Sequence, residues 1–131
     1  MFQIDSMSRI PIYEQIIDQL EKFILTGTIT PGEQIPSVRS VSVQLSINPV
    51  TILKAYSDLD ARGLIHSVPG KGYFVSDGAK EALSKNKLSL LGDIQRLASE
   101  LSLAGIPLEA VIEEVKSAYD KASEPISDER K

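Results

Sequence analysis

Two short stretches between residues 33 and 62 carry apolar side chains at helical spacing. In the first, the apolar positions lie three and four residues apart. They are Val38, Val41 and Leu45, and the residue before them is Ser37. Serine is a favoured helix N-cap because its hydroxyl accepts a hydrogen bond from a free backbone N–H. The pattern predicts a short helix that begins after Ser37.

The second stretch follows after a three-residue turn. Asn48 is a favoured N-cap, and Pro49 takes the first helical position, where its missing N–H leaves no hydrogen bond unmade. The apolar stripe consists of Ile52, Ala55, Tyr56 and Leu59. Gly63 is expected to end the helix. Two helices joined in this way predict a helix-turn-helix.

A longer amphipathic helix is predicted before this motif and a β-hairpin after it. Pro11 opens the helix and Gly27 ends it, and a short extended piece leads on to Ile35. The hairpin consists of two β-prone runs, 64–68 and 73–75, joined by a turn rich in glycine. The order helix, short strand, helix, helix, hairpin is that of a winged helix over residues 1–76.

Residues 88–121 carry two more amphipathic helices, separated at Gly105. Two helices alone have too little apolar area for a core, so their stripes are expected to pack on those of a second copy. The predicted dimer-interface residues are Leu91, Ile94, Leu97, Leu101, Leu108, Val111, Ile112, Val115 and Tyr119.

The predicted fold class is therefore α+β and mostly helical, a winged helix-turn-helix followed by a two-helix C-terminal dimerisation segment. The polar and basic residues 77–87 are interpreted as a linker or a helical lead-in. The polar residues 122–131 are expected to be a disordered tail.

Composition excludes most enzyme and metal chemistry. The chain of 131 residues has no cysteine and one histidine, His66. No nucleophile and base pair, metal cluster or cofactor loop is recognisable, so neither an enzyme nor a bound cofactor or metal is expected. No apolar run is long enough to span a bilayer and no signal-peptide pattern is present, so a soluble, cytoplasmic protein is expected.

The charge of the chain is uneven. A formal net charge of −4 and a pI near 5.0 argue mildly against a nucleic-acid partner. However, residues 34–57 contain Arg39 and Lys54 and no acidic residue. A surface that approaches phosphates must lack carboxylates, and this stretch meets that condition.

Several motifs in fixed order resemble the GntR family of bacterial transcription regulators and, within it, the YtrA-like subfamily. They cover residues 11–16, 32–39, 48–51, 55–59, 63–65 and 70–75. The subfamily has only a pair of dimerising helices after its winged helix. The resemblance implies a homodimer that binds an inverted-repeat operator in double-stranded DNA, usually as a repressor, and suggests control of a transporter operon.

The resemblance also implies a set of DNA-binding residues. The second helix of the motif is expected in the major groove and the wing at the minor groove. The positions that match are Ser37, Arg39, Asn48, Pro49, Val50, Thr51, Lys54, Gly70, Lys71 and Gly72. Ser46 stands where many members have glycine. Val50 and Leu53 stand where many have polar or basic residues, so Leu53 either reads a thymine methyl group or is packed.

Two alternatives stand beside DNA binding. A winged helix can instead bind a protein partner, which the low pI and an exposed Val50 and Leu53 would suit. The acid-free helix-turn-helix and Lys71 between two glycines argue against it. A phosphate loop at residues 70–72 is disfavoured because a strand follows rather than a helix.

Overall fold

The structure, a computed structural model, describes residues 1–123 of the chain. In this range the elements are α1 (Ile12–Leu25), α2 (Val38–Leu45), α3 (Pro49–Ala61), β1 (Ile65–Val68), β2 (Gly72–Val75), α4 (Ala79–Lys87), α5 (Leu90–Leu103) and α6 (Leu108–Ala122). The chain divides into two compact units, Met1–Asn86 and Lys87–Lys131. The winged helix-turn-helix, the mostly helical fold class and the C-terminal helical segment are confirmed.

The core of the first unit lies where α1 and α2 pack against α3. The apolar stripe predicted for α3 is fully buried, as are Ile16 and Leu20 of α1 and Val41 of α2. The connecting segments add Ile29 and Ile35 to this core. The core is thus built mainly from aliphatic side chains, with Tyr56 as its largest fully buried residue.

Both predicted N-caps are formed. The backbone N–H of Ser40 donates to the hydroxyl of Ser37 at 3.0 Å, and that of Val50 donates to Asn48 Oδ1 at 2.9 Å. Between the helices, Ser46 adopts φ of 54°, in the left-handed region. The two caps set where α2 and α3 begin, and the left-handed Ser46 sets where α2 ends.

The wing is an antiparallel hairpin in which Ile65 pairs with Val75 and Val68 with Gly72. Residues just before α2 extend this sheet by one short bridge, Gln34 to Phe74. The N–H of Ile35 donates to the carbonyl oxygen of Tyr73 at 3.0 Å. The lead into α2 is therefore attached to the wing by backbone hydrogen bonds.

Residues 77–87, predicted as a linker or a helical lead-in, contain α4, in which Ala79 and Leu83 are fully buried. At the N-terminus, residues 1–9 form no strand, although Phe2 is buried. Of the predicted disordered tail, residues 122–131, Ala122 is instead the last residue of α6 and Ser123 is its C-cap, while residues 124–131 lie outside the described part of the chain. The predicted domain boundaries themselves stay predictions.

Among residues 1–123, none of the helices combines the length and apolar composition that crossing a membrane requires.

Candidate nucleic-acid interface

The outer face of α2 presents Arg39 to solvent. An open depression on this face is lined by Ser37, Arg39, Ser40, Val43 and Gln44. Within the described residues Arg39 forms no ion pair and no side-chain hydrogen bond, so its guanidinium is free to bind a partner. Its position in the first turn of α2 places that charge beside the helix N-terminus, where free N–H groups also favour anions.

The N-terminal half of α3 presents a mixed surface on the side opposite the core. Asn48 and Pro49 are exposed at its start, and Thr51 is half-buried. Val50 is 69% exposed and Leu53 is 45% exposed. The N-terminal half of α3 is thus accessible, and its exposed large apolar side chains are aliphatic.

Lys54 is exposed one turn further along α3, and its ammonium contacts α1. Its Nζ lies 3.9 Å from the centroid of the Tyr13 ring, which is a cation–π geometry. The Tyr13 hydroxyl in turn donates to the carboxylate of Glu14 at 3.3 Å. The ring therefore holds the lysine charge at the edge of the face that Val50 and Leu53 occupy.

The tip of the wing has a defined backbone geometry. Gly70 and Gly72 adopt φ of 77° and 122°, backbone angles that residues with a Cβ rarely adopt. The side chain of Gln34 donates from Nε2 to the carbonyl oxygen of Lys71 at 2.7 Å. A Cβ on Gly72 would lie 2.9 Å from the same Nε2, so this glycine lets Gln34 approach. The Lys71 side chain is exposed at the tip.

Carboxylates lie at the border of this face. Asp58 pairs with Arg62 at 3.3 Å, and Arg62 also pairs with the nearly buried Glu21 at 2.7 Å, at the C-terminal end of α3. On the α1 side, the charge of Glu14, with a smaller effect from Asp58, raises the pKa of Tyr13. The first two turns of α3 themselves carry no carboxylate.

The second unit exposes the apolar stripes predicted as a dimer interface. No residue of α5 or α6 is fully buried in the single chain. Leu91, Ile94, Leu97, Leu101, Leu108, Ile112, Val115 and Tyr119 are exposed, and Val111 is half-buried. An apolar groove of about 410 Å³ runs between the two helices and includes Ile94, Leu97, Leu101, Val111 and Val115 in its lining.

The structure brings the predicted residues of α2 and α3 together on one unit and joins the wing to the lead into α2. DNA contact by each of these residues stays a prediction. Sequence reasoning missed two side chains that hold this surface together, Tyr13 beside Lys54 and Gln34 beneath the wing tip. Both belong to recognisable motifs, but neither spacing nor composition indicates their partners.

Comparisons with known proteins agree with this architecture. The model of the family described as bacterial regulatory proteins, gntR family, matches residues 12–75. The HTH-type transcriptional repressor YtrA of Bacillus subtilis is 38% identical over 117 residues, which is 88% of this chain and 90% of YtrA.

Solved structures of regulators are similar as well. A transcriptional regulator from Oenococcus oeni superimposes with a TM-score of 0.69 at 29% identity, covering 91% of this chain and 99% of its own. A GntR family transcriptional regulator from Listeria monocytogenes superimposes with a TM-score of 0.68 at 33% identity, covering 87% of this chain and 98% of its own.

Proposed function

The chain belongs to the GntR family of bacterial regulatory proteins, and we propose that it is a cytoplasmic repressor that binds an inverted-repeat operator as a homodimer. Because of this family membership it is a DNA-binding transcription regulator rather than an enzyme. In this proposal α3 enters the major groove and the wing lies at the minor groove. The resemblance to the repressor YtrA supports the direction of regulation.

One observation supports DNA as the partner above all others. Arg39, Lys54 and Lys71 are exposed on α2, α3 and the wing, and the stretch from Gln34 to Ser57 contains no carboxylate. Phosphate contacts supply most of the affinity of a DNA-binding protein, and one nearby carboxylate would oppose each of them. The net charge of −4 is therefore compatible with DNA binding, because the acids lie outside this stretch.

The second unit supports the homodimer. Each subunit offers only a few cations, so a single winged helix would bind weakly at physiological salt. Covering the exposed stripes of α5 and α6 with a second copy would both complete a core and link two DNA-binding units. A two-fold dimer then requires two half-sites in inverted orientation.

Selection of binding sites from a random duplex library tests this proposal. The native chain is expected to enrich one inverted repeat, and its affinity for that repeat should fall steeply as salt rises. The double variant Arg39→Ala, Lys71→Ala should enrich nothing. On the repeat that the native chain selects, the slope of its log binding constant against log salt should be smaller by about one for each phosphate that is no longer bound.

Lys22→Ala provides a matched control, since Lys22 is exposed near the other end of α1 from Tyr13. This variant should behave like the native chain. A folded native dimer that enriches no sequence at low or physiological salt would contradict operator binding and favour a protein partner.

A further inference from the structure

The N-terminal half of α3 carries an exposed apolar ridge formed by Val50 and Leu53. The two residues are three positions apart, so they are neighbours on the helix surface. They are 69% and 45% exposed, although the helix buries its other large apolar side chains completely. No other large apolar residue of α3 is exposed.

Packing within the subunit does not account for this ridge. Ile52, Ala55 and Tyr56 fill the core side of the same two turns and are fully buried. At about 100° per residue, Val50 points roughly 160° away from Ile52. Leu53 lies between the two directions, with nearly half of its surface in solvent. Val50 is therefore clear of the core, and Leu53 lies at its border.

The major groove offers few partners for such a surface. Guanine, cytosine and adenine present donors and acceptors there, whereas thymine adds a C5-methyl group, the one apolar group on the base edges. An aliphatic side chain cannot hydrogen-bond, so seating it on a polar edge would leave that edge desolvated and unpaired. A methyl group is the partner that gains from the contact.

We propose that Val50 and Leu53 are specificity determinants that contact thymine C5-methyl groups in each operator half-site. The proposal rests on the proposed function, because it requires α3 to enter the major groove. Lys54, held by the Tyr13 ring, and Arg39, exposed on α2, would contact phosphates of the same half-site. The cations would then position the helix, and the ridge would read the bases.

Replacing thymine by deoxyuracil tests the proposal, because it removes the methyl group and leaves base pairing intact. Duplexes that carry the selected inverted repeat are synthesised with one thymine of each half-site replaced at a time. Binding of the full chain is measured by fluorescence anisotropy. At one or two positions per half-site the replacement should weaken native binding about fourfold for each methyl group that a ridge side chain would have covered.

Two variants assign the effect to the ridge. The double variant Val50→Ser, Leu53→Ser should bind thymine and deoxyuracil duplexes equally, and it should keep the native fold because the fully buried Ile52, Ala55 and Tyr56 are unchanged. Lys54→Ala should weaken binding to both duplexes by the same factor and so preserve their ratio.

The outcomes separate this proposal from the proposed function. Native binding to the inverted repeat without any deoxyuracil effect would overturn methyl reading and leave operator binding standing. An undiminished deoxyuracil effect in the Val50→Ser, Leu53→Ser variant would assign the methyl contact to other residues and overturn the proposal. Failure to bind any duplex specifically would remove both.

Discussion

At the turn between α2 and α3, Ser46 adopts a backbone conformation that suits glycine better than serine. Its φ of 54° brings its Cβ close to its own backbone, and it is the one residue other than glycine with positive φ among residues 1–123. The Ser46 side chain makes no hydrogen bond within the described residues that would compensate. A residue that departs from the common family pattern therefore carries local strain.

Ser46→Gly should raise the free energy of unfolding by about 0.5–1 kcal/mol, because the strain is relieved at some cost in chain entropy. Urea denaturation of the full chain measures the change. Ser57→Gly is the matched control, since Ser57 is exposed inside α3 and glycine there should destabilise by about 0.5 kcal/mol. A loss of stability in Ser46→Gly would show that the turn does not strain the serine.

Tyr13 is the residue that links α1 to the candidate DNA surface, through the Lys54 ammonium. Tyr13→Leu should weaken operator binding by about two- to fourfold, because a lysine held by the ring loses less side-chain entropy when it meets a phosphate. Tyr13→Phe should bind like the native chain, since it keeps the aromatic ring. Affinity measurements at fixed salt distinguish these variants.

A double-mutant cycle checks that this effect passes through Lys54. In a Lys54→Ala background, Tyr13→Leu should cause no further decrease in affinity. An equal decrease in both backgrounds would show that Tyr13 acts in another way, either on DNA directly or on the packing of α1.

At the scale of elements, the helices and their caps could be predicted because their signals are local. Ser37 and Asn48 bond to N–H groups two or three residues away, and the apolar stripe of α3 is visible in sequence. The burial of α4 is harder to predict, since Ala79 and Leu83 are two apolar residues in a lysine-rich segment. The bond from Gln34 to Lys71 spans 37 positions and depends on the tertiary fold.

The side chain of Gln34 joins the lead into α2 to the wing tip through its hydrogen bond to the carbonyl oxygen of Lys71. Gln34→Ala should therefore speed hydrogen exchange of the wing amides around Lys71 and weaken operator binding a few-fold, with a decrease in stability of about 1 kcal/mol. Hydrogen exchange followed by mass spectrometry measures the first effect.

Gln44→Ala is the control for this prediction, because Gln44 is exposed on α2 and makes no bond to the wing. Its wing amides should exchange at the native rate. Unchanged exchange in Gln34→Ala would show that the glycines alone define the wing tip.

At the scale of the whole molecule, the second unit has amphipathic helices, α5 and α6, in which no residue is fully buried. The first unit, by contrast, has a complete core. The first unit thus completes its core within one chain, whereas the apolar surface of the second unit is exposed and would be covered in the proposed homodimer. The spacing of apolar residues predicts the stripes of α5 and α6, but the side chains that would cover them belong to a second copy, so the dimer stays a prediction.

Val115→Glu should convert the proposed dimer to a monomer, because it places a charge in the apolar groove between α5 and α6. Operator affinity should fall by about a hundredfold or more, since the two DNA-binding units are then no longer linked. Light scattering after gel filtration gives the mass.

Leu103→Glu is the matched control for the monomer prediction. Leu103 is 90% exposed, and its nine-residue spacing from Ile94 places it on the opposite side of α5 from the groove. This variant should stay dimeric and bind the operator normally. A Val115→Glu chain that remains a dimer would place the interface elsewhere.

Hydroxyl-radical footprinting of the selected operator by the full chain is the sharpest check on dimeric operator binding, because it reports both DNA contact and two-fold symmetry. We predict two equivalent protected tracts related by a two-fold axis, with centres about one helical turn, or a multiple of it, apart on one face of the duplex. A single protected tract, or no protection from a folded dimer, would show that this protein does not act as a dimeric operator-binding regulator.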